Sequence, residues 1–114
     1  MQSYIYTIDV AHPPMHPDAV EHTLFDGWKL VRNHKQYRVL KVVHGYGSSG
    51  RGGSTKETVL NWVFQNRNRF ENIIPGENFD LFDADTLEMI AECGTVDDGD
   101  LGRSNLGITL IWVH

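Results

Sequence analysis

From His44 to Ser54 the chain reads HGYGSSGRGGS, with five glycines in the nine residues from Gly45 to Gly53. Glycine loses more conformational freedom on folding than any other residue, so a run this dense ends one regular element and delays the next. On its N-terminal side the apolar run Tyr37 to Val43 predicts a buried strand ending at His44. On its C-terminal side Ser54-Thr55-Lys56-Glu57 has the capping-box pattern that opens a helix. The chain is thereby committed to a strand, a glycine loop and a helix in that order. This arrangement can present backbone N–H groups and the positive end of a helix to an anion.

The other elements are read outward from that loop. Tyr4 to Val10 alternates as a strand, with Asp9 near its end. AHPPMHPD must be a loop, because Pro13 and Pro14 lack a backbone N–H and Pro13 turns His12 away from helix. Pro17, Asp18 and Glu21 suit a helix start, and Val20, Leu24, Trp28 and Val31 form its apolar stripe. In the helix after the glycine loop, Leu60, Val63 and Phe64 are expected to face inward, and Trp28 and Trp62 are each read as core residues, not stacking platforms. Pro75-Gly76 marks a turn, Asn78 to Phe82 is expected as a short edge strand, and 83–93 as a small helix with Leu87, Ile90 and Ala91 inward and Gly94 as its stop. Ile108 to Val113 is the last strand. The expected class is α/β or α+β, with a mixed sheet.

With 114 residues, 40% of them hydrophobic, the chain has the length of one globular domain, expected to span residues 1–114. The lone Cys93 cannot form an internal disulfide and suits a reducing compartment. No apolar run approaches the roughly 20 residues of a membrane span, and the N-terminus lacks a signal-peptide pattern. A cytoplasmic protein without a membrane partner, monomeric or weakly oligomeric, is the expectation.

A formal charge of −5 argues against a nucleic-acid partner only if charges are evenly mixed, and they are not. From Gly27 to Phe70 nine bases (Lys29, Arg32, Lys35, Arg38, Lys41, Arg51, Lys56, Arg67 and Arg69) stand against one acid, Glu57. From Glu71 to Asp100 there are ten acids and no base. If the bases share one surface, that surface can bind phosphates; the alternative is that the acidic segment folds back over the basic one.

Within the glycine loop Arg51 supplies full charge, Lys56 supplies it from the following helix, and Tyr46 is the aromatic best placed to stack on a base. GYGSSG fits the dinucleotide pattern GxGxxG, but Arg51, Gly52 and Gly53 separate it from the helix, and Gly53 occupies the lysine position of a phosphate P-loop. An ordinary surface turn is the plainer alternative. His12, His16 and His22 have no recognised metal-ligand spacing and read as solvated histidines. Cys93 has no basic neighbour to activate it and reads as structural.

Three segments carry a family resemblance: IDVAH from Ile8 to His12, VVHGYG from Val42 to Gly47, and GITLIWV from Gly107 to Val113. In order and placement they resemble the Smr (small MutS-related) domain. His44, Gly45 and Gly47 match the family's HGxG, Gly107 and Thr109 match its final strand, and Asp9 matches the Asp of its Leu-Asp-Leu-His-Gly or Leu-Asp-Leu-Arg-Gly motif. The departures are Ala11, which stands where His or Arg is usual, and His12, which stands where Gly is.

The resemblance implies a βαβαββ two-layer sandwich with a mixed four-stranded sheet, here with an inserted helix near 83–93. It also implies action on DNA or RNA, by nicking or cleavage in several members. Both βα junctions then open at the carboxyl edge of parallel strands, placing Asp9, His12 and His44 together as catalytic candidates. Asp9 would activate water or hold a divalent cation such as Mg2+ or Mn2+, and His44 or His12 would transfer a proton. Gly45, Tyr46, Gly47, Arg51 and Lys56 would hold the phosphate. Two other expectations stay open: a nucleic-acid-binding module without catalysis, and a small-nucleotide or phosphometabolite binder.

Overall fold

A computed structural model describes residues 3–46 and 55–114. Strand β1 (Ile5–Asp9) leads through the proline loop to helix α1 (Pro17–Arg32), which returns the chain to β2 (Val39–Val43). Helix α2 (Thr55–Gln65) precedes β3 (Asn72–Pro75), and α3 (Ala84–Cys93) lies between β3 and β4 (Ile108–Trp112). The sheet order is β1-β2-β4-β3; β1 and β2 are parallel, and β4 is antiparallel to both of its neighbours. This is the expected α+β class, with a mixed four-stranded sheet and a helix inserted before the last strand.

Helix α1 forms where its signals place it. His16 caps the start by accepting from the Asp18 N–H, Pro17 occupies the first turn, and Lys29 and Arg32 lie in the last turn, where cations suit the helix dipole. Its buried stripe of Val20, Leu24, Trp28 and Val31 is the one the spacing predicts. It packs with Val59, Trp62 and Val63 of α2 against Leu40, Val42 and Ile111 on one face of the sheet. On the other face, Val39, Leu110 and Trp112 meet Phe79 and Met89. Because both faces are covered, β2 and β4 are apolar almost throughout instead of alternating.

Three sequence expectations are corrected. The third strand is Asn72–Pro75, not Asn78 to Phe82. Ile73 and Ile74 are branched residues that pair with Ile111 and Leu110, whereas Gly76–Asn78 forms a 3-10 turn that drops Phe79 into the core. A Cβ on Gly76 would lie 1.9 Å from the Asn105 carbonyl oxygen and 2.7 Å from that of Ile108, so only glycine fits this turn. In α2 the buried residues are Val59, Trp62 and Val63, while Leu60 and Phe64 face out. In α3 they are Thr86 and Met89, with Cys93 partly covered, while Leu87 and Ala91 face out and Ile90 is half-buried. Thr86 tolerates burial because its hydroxyl lies 2.9 Å from the Asn78 carbonyl oxygen and 3.0 Å from the Asp83 carboxylate.

Lys41, in the middle of β2, is also buried, on the α3 face. Its ammonium donates to Asp98 at 2.8 Å and pairs with Asp100, whose carboxylate also accepts from Asn105. The acidic segment therefore does fold back over part of the basic one. Burial alone would lower the Lys41 pKa, but hydrogen bonds to both carboxylates outweigh it and raise it.

Candidate site at the carboxyl edge of the parallel strands

Parallel pairing sets Asp9 opposite Val43, so β1 and β2 run out at the same edge and His44 follows directly beside Val10. The Val10 N–H donates to the Val43 carbonyl at 3.0 Å, which extends the ladder one residue into the site. Here the three segments that resemble Smr motifs meet. The His44 and Gly45 N–H groups both donate to the Gly107 carbonyl, at 2.9 and 3.1 Å. Gly45 has φ +78°, where a side chain is strained, and a Cβ there would sit 3.7 Å from that of Ala11. Small residues at 11, 45 and 107 let the three backbones close on one another.

Asp9 organises the turn that follows it. One carboxylate oxygen accepts from the N–H groups of Ala11 at 2.8 Å and His12 at 3.0 Å, and the other lies 2.9 Å from His12 Nδ1. Desolvation pushes the carboxyl pKa up, but the two N–H groups and the His12 ring outweigh it and hold it below the usual carboxylate range. Asp9 is thus ionised at neutral pH. A carboxylate only accepts, so His12 presents Nδ1–H to it, leaving Nε2 without a hydrogen-bond partner among the described residues. The two side chains are 40% and 70% exposed, so the pair faces solvent.

His44 sits quite differently. It is 2% exposed, and both ring nitrogens are engaged. Nδ1 lies 2.7 Å from the Gly45 carbonyl, which can only accept, so Nδ1 carries the proton. Nε2 therefore accepts from the Thr109 hydroxyl at 2.8 Å. Burial first, and then the Lys56 cation, lower its pKa, so the ring is neutral at neutral pH. His44 pins the end of β2 to the start of β4. Thr109, named in the sequence only as a motif residue, is the partner that makes this possible.

Lys56 stands in the first turn of α2, where its ammonium donates to the Leu106 carbonyl at 3.0 Å. Tyr46, two residues after His44, is exposed. Gly47 and Arg51 lie outside the described residues, as does Ser54 of the capping box. The carboxyl edge therefore gathers Asp9, His12, His44, Gly45 and Lys56.

The three histidines of the proline loop and α1 do not converge. His12 turns to Asp9, His16 caps α1, and His22 lies 3.3 Å from Asp26. Among the described residues no group of three or more His, Cys, Asp or Glu side chains could hold a metal ion. The exposed Asp9 carboxylate could contribute one ligand to a divalent cation at this edge. A cleft of about 660 Å³ lies at the start of β1, lined by Tyr4, Cys93 and Gly94, away from this chemistry. Burial there pushes the Cys93 thiol pKa up, which disfavours a nucleophilic thiolate. Among the described residues no helix is long and apolar enough to cross a membrane.

The chain was compared with protein-family models, with curated proteins and with solved structures, and none of these matches it.

Proposed function

We propose that this chain is a nucleic-acid-processing domain that cleaves phosphodiester bonds, with His12 as the general base and Asp9 as the residue that orients it. The observation that carries this reading is the solvent-facing Asp9–His12 pair, with Nδ1–H directed to the carboxylate and Nε2 without a partner among the described residues. A carboxylate so placed fixes the imidazole tautomer and stabilises the imidazolium that forms when Nε2 takes a proton from water or a ribose hydroxyl. Lys56, at the start of α2, supplies positive charge near the phosphate as negative charge builds in the transition state. The Smr-like order of the three segments, and their meeting at one edge, support the same class of substrate. His12 then does the work that the Ala11 departure takes from the usual position.

The test is cleavage of supercoiled plasmid and of labelled structured RNA, with divalent metal or with chelator, by the wild-type chain and by Asp9→Asn and His12→Ala. Cleavage that falls at least about a hundredfold in His12→Ala supports the assignment. Cleavage unchanged in His12→Ala removes it. A second reading, nucleic-acid binding without cleavage, is favoured by one observation: His44, the histidine of the glycine motif, has both nitrogens committed. Absence of cleavage on both substrates, with binding retained, would select it.

A further inference from the structure

Four of the basic residues gather away from the carboxyl edge. Helices α1 and α2 both start at the carboxyl edge and run back, so their last turns lie at the opposite edge of the sheet. A helix of 16 residues places its ends about 24 Å apart. At that far edge Lys29 and Arg32 end α1, and Arg67 and Arg69 form the 3-10 turn after α2. Among the described residues no carboxylate lies within ion-pair distance of any of the four.

Each of these cations is held over an aromatic ring instead. The Arg32 and Arg69 guanidiniums lie 4.5 and 5.1 Å from the Trp28 ring centroid. Arg67 lies 4.0 Å from Phe64, and the Lys29 ammonium 5.3 Å from Phe25. The Trp28 Nε1 is buried with no hydrogen-bond partner among the described residues, so ring-face contacts, not its N–H, hold the indole. Phe64 is 62% exposed although the apolar pattern of α2 would bury it. Cations at one edge, two of them over the same Trp28 ring and none ion-paired to a carboxylate among the described residues, repel one another, and an anion relieves that repulsion. Phe64, exposed and carrying the planar Arg67 guanidinium, also offers a surface on which an unstacked base can lie.

Resting on the nucleic-acid reading above, the geometry points to this far edge as a docking surface for single-stranded nucleic acid. The four cations meet the phosphates, and Phe64 with Arg67 forms a stacking platform. A strand held here reaches the Asp9–His12 pair only by running along the outer layer of helices. A substrate shorter than the about 24 Å between the edges then engages one site and not both.

The experiment is fluorescence anisotropy with labelled oligo-dT and oligo-U of about 12 nucleotides, a length within known single-strand site sizes, over a range of salt. It uses the wild-type chain, Phe64→Ala, and the double variant Lys29→Gln/Arg67→Gln. All three substituted positions are exposed, and thermal melts check the fold. Phe64→Ala is expected to bind about tenfold more weakly, within the range for loss of a base stack. The double variant is expected to lower the slope of log K against log salt by about 1.4, or about 0.7 for each lost phosphate contact. Wild-type binding that both variants leave intact would overturn the surface and leave the cleavage reading standing. Variant-sensitive binding with no cleavage would uphold the surface and fail the cleavage reading. Equal affinity for a duplex of the same length, or for polyglutamate, would overturn the single-strand assignment.

Discussion

At the scale of single residues, two histidines at the same edge of the sheet are given opposite tasks by their surroundings. His44 is buried between a carbonyl and a hydroxyl, and its protonation is disfavoured. Its folded pKa lies below the unfolded value of about 6.5, so the unfolded chain binds more protons as pH falls below that point. Stability is therefore expected to be full above about pH 6.5 and to fall on acidification through the His44 pKa. Urea midpoints between pH 7.5 and 5 would show this fall, and His44→Gln would flatten it. Thr109→Val is expected to cost about 1–3 kcal/mol, because it leaves a buried ring nitrogen without its donor. A urea midpoint unchanged in Thr109→Val would contradict that role. Asp9 and His12, by contrast, are placed for exchange with solvent.

At the scale of elements, the turn at Gly76 and the ion pair at Lys41 fix how the inserted segment lies on the sheet. Gly76→Ala would drive a Cβ into backbone oxygens at 105 and 108. The expected loss is about 2 kcal/mol, typical of overpacking, read from equilibrium unfolding. A loss below about 0.5 kcal/mol, the size of an ordinary surface substitution, would mean that the segment around Asn105 shifts freely. Lys41→Met leaves the half-buried Asp98 and Asp100 without their cation, at an expected cost of about 2–3 kcal/mol, below the full penalty for a fully buried pair. Adding Asp98→Asn and Asp100→Asn should recover part of that loss, because the stranded charge is then removed. α1 and β2 were legible because cap, stripe and apolar run agreed within each. The facing of α2 and α3 was not: Leu60 and Leu87 are as apolar as Val59 and Met89, and periodicity alone does not choose between adjacent phases. The third strand was missed because Ile73 and Ile74 make a run too short to stand out beside Phe79, Leu81 and Phe82.

At the scale of the molecule, the uneven charge along the chain becomes an uneven charge in space, with the acidic segment folded back over part of the basic one. Lys41 is neutralised inside, Lys56 marks the carboxyl edge, and Lys29, Arg32, Arg67 and Arg69 hold the far edge. Asp9 and His12 were legible as neighbours in sequence, but their shared geometry depends on the turn that Asp9 itself caps. The commitment of His44 to Thr109 spans 65 residues of chain, and no local pattern shows it. The most direct test of the account compares His12→Ala with wild type in plasmid and RNA cleavage, at matched concentration and with folding checked by melting. The account predicts that His12→Ala remains folded and loses cleavage by at least about a hundredfold. Cleavage retained in folded His12→Ala would contradict the assignment of the open Asp9–His12 pair as the acid–base centre.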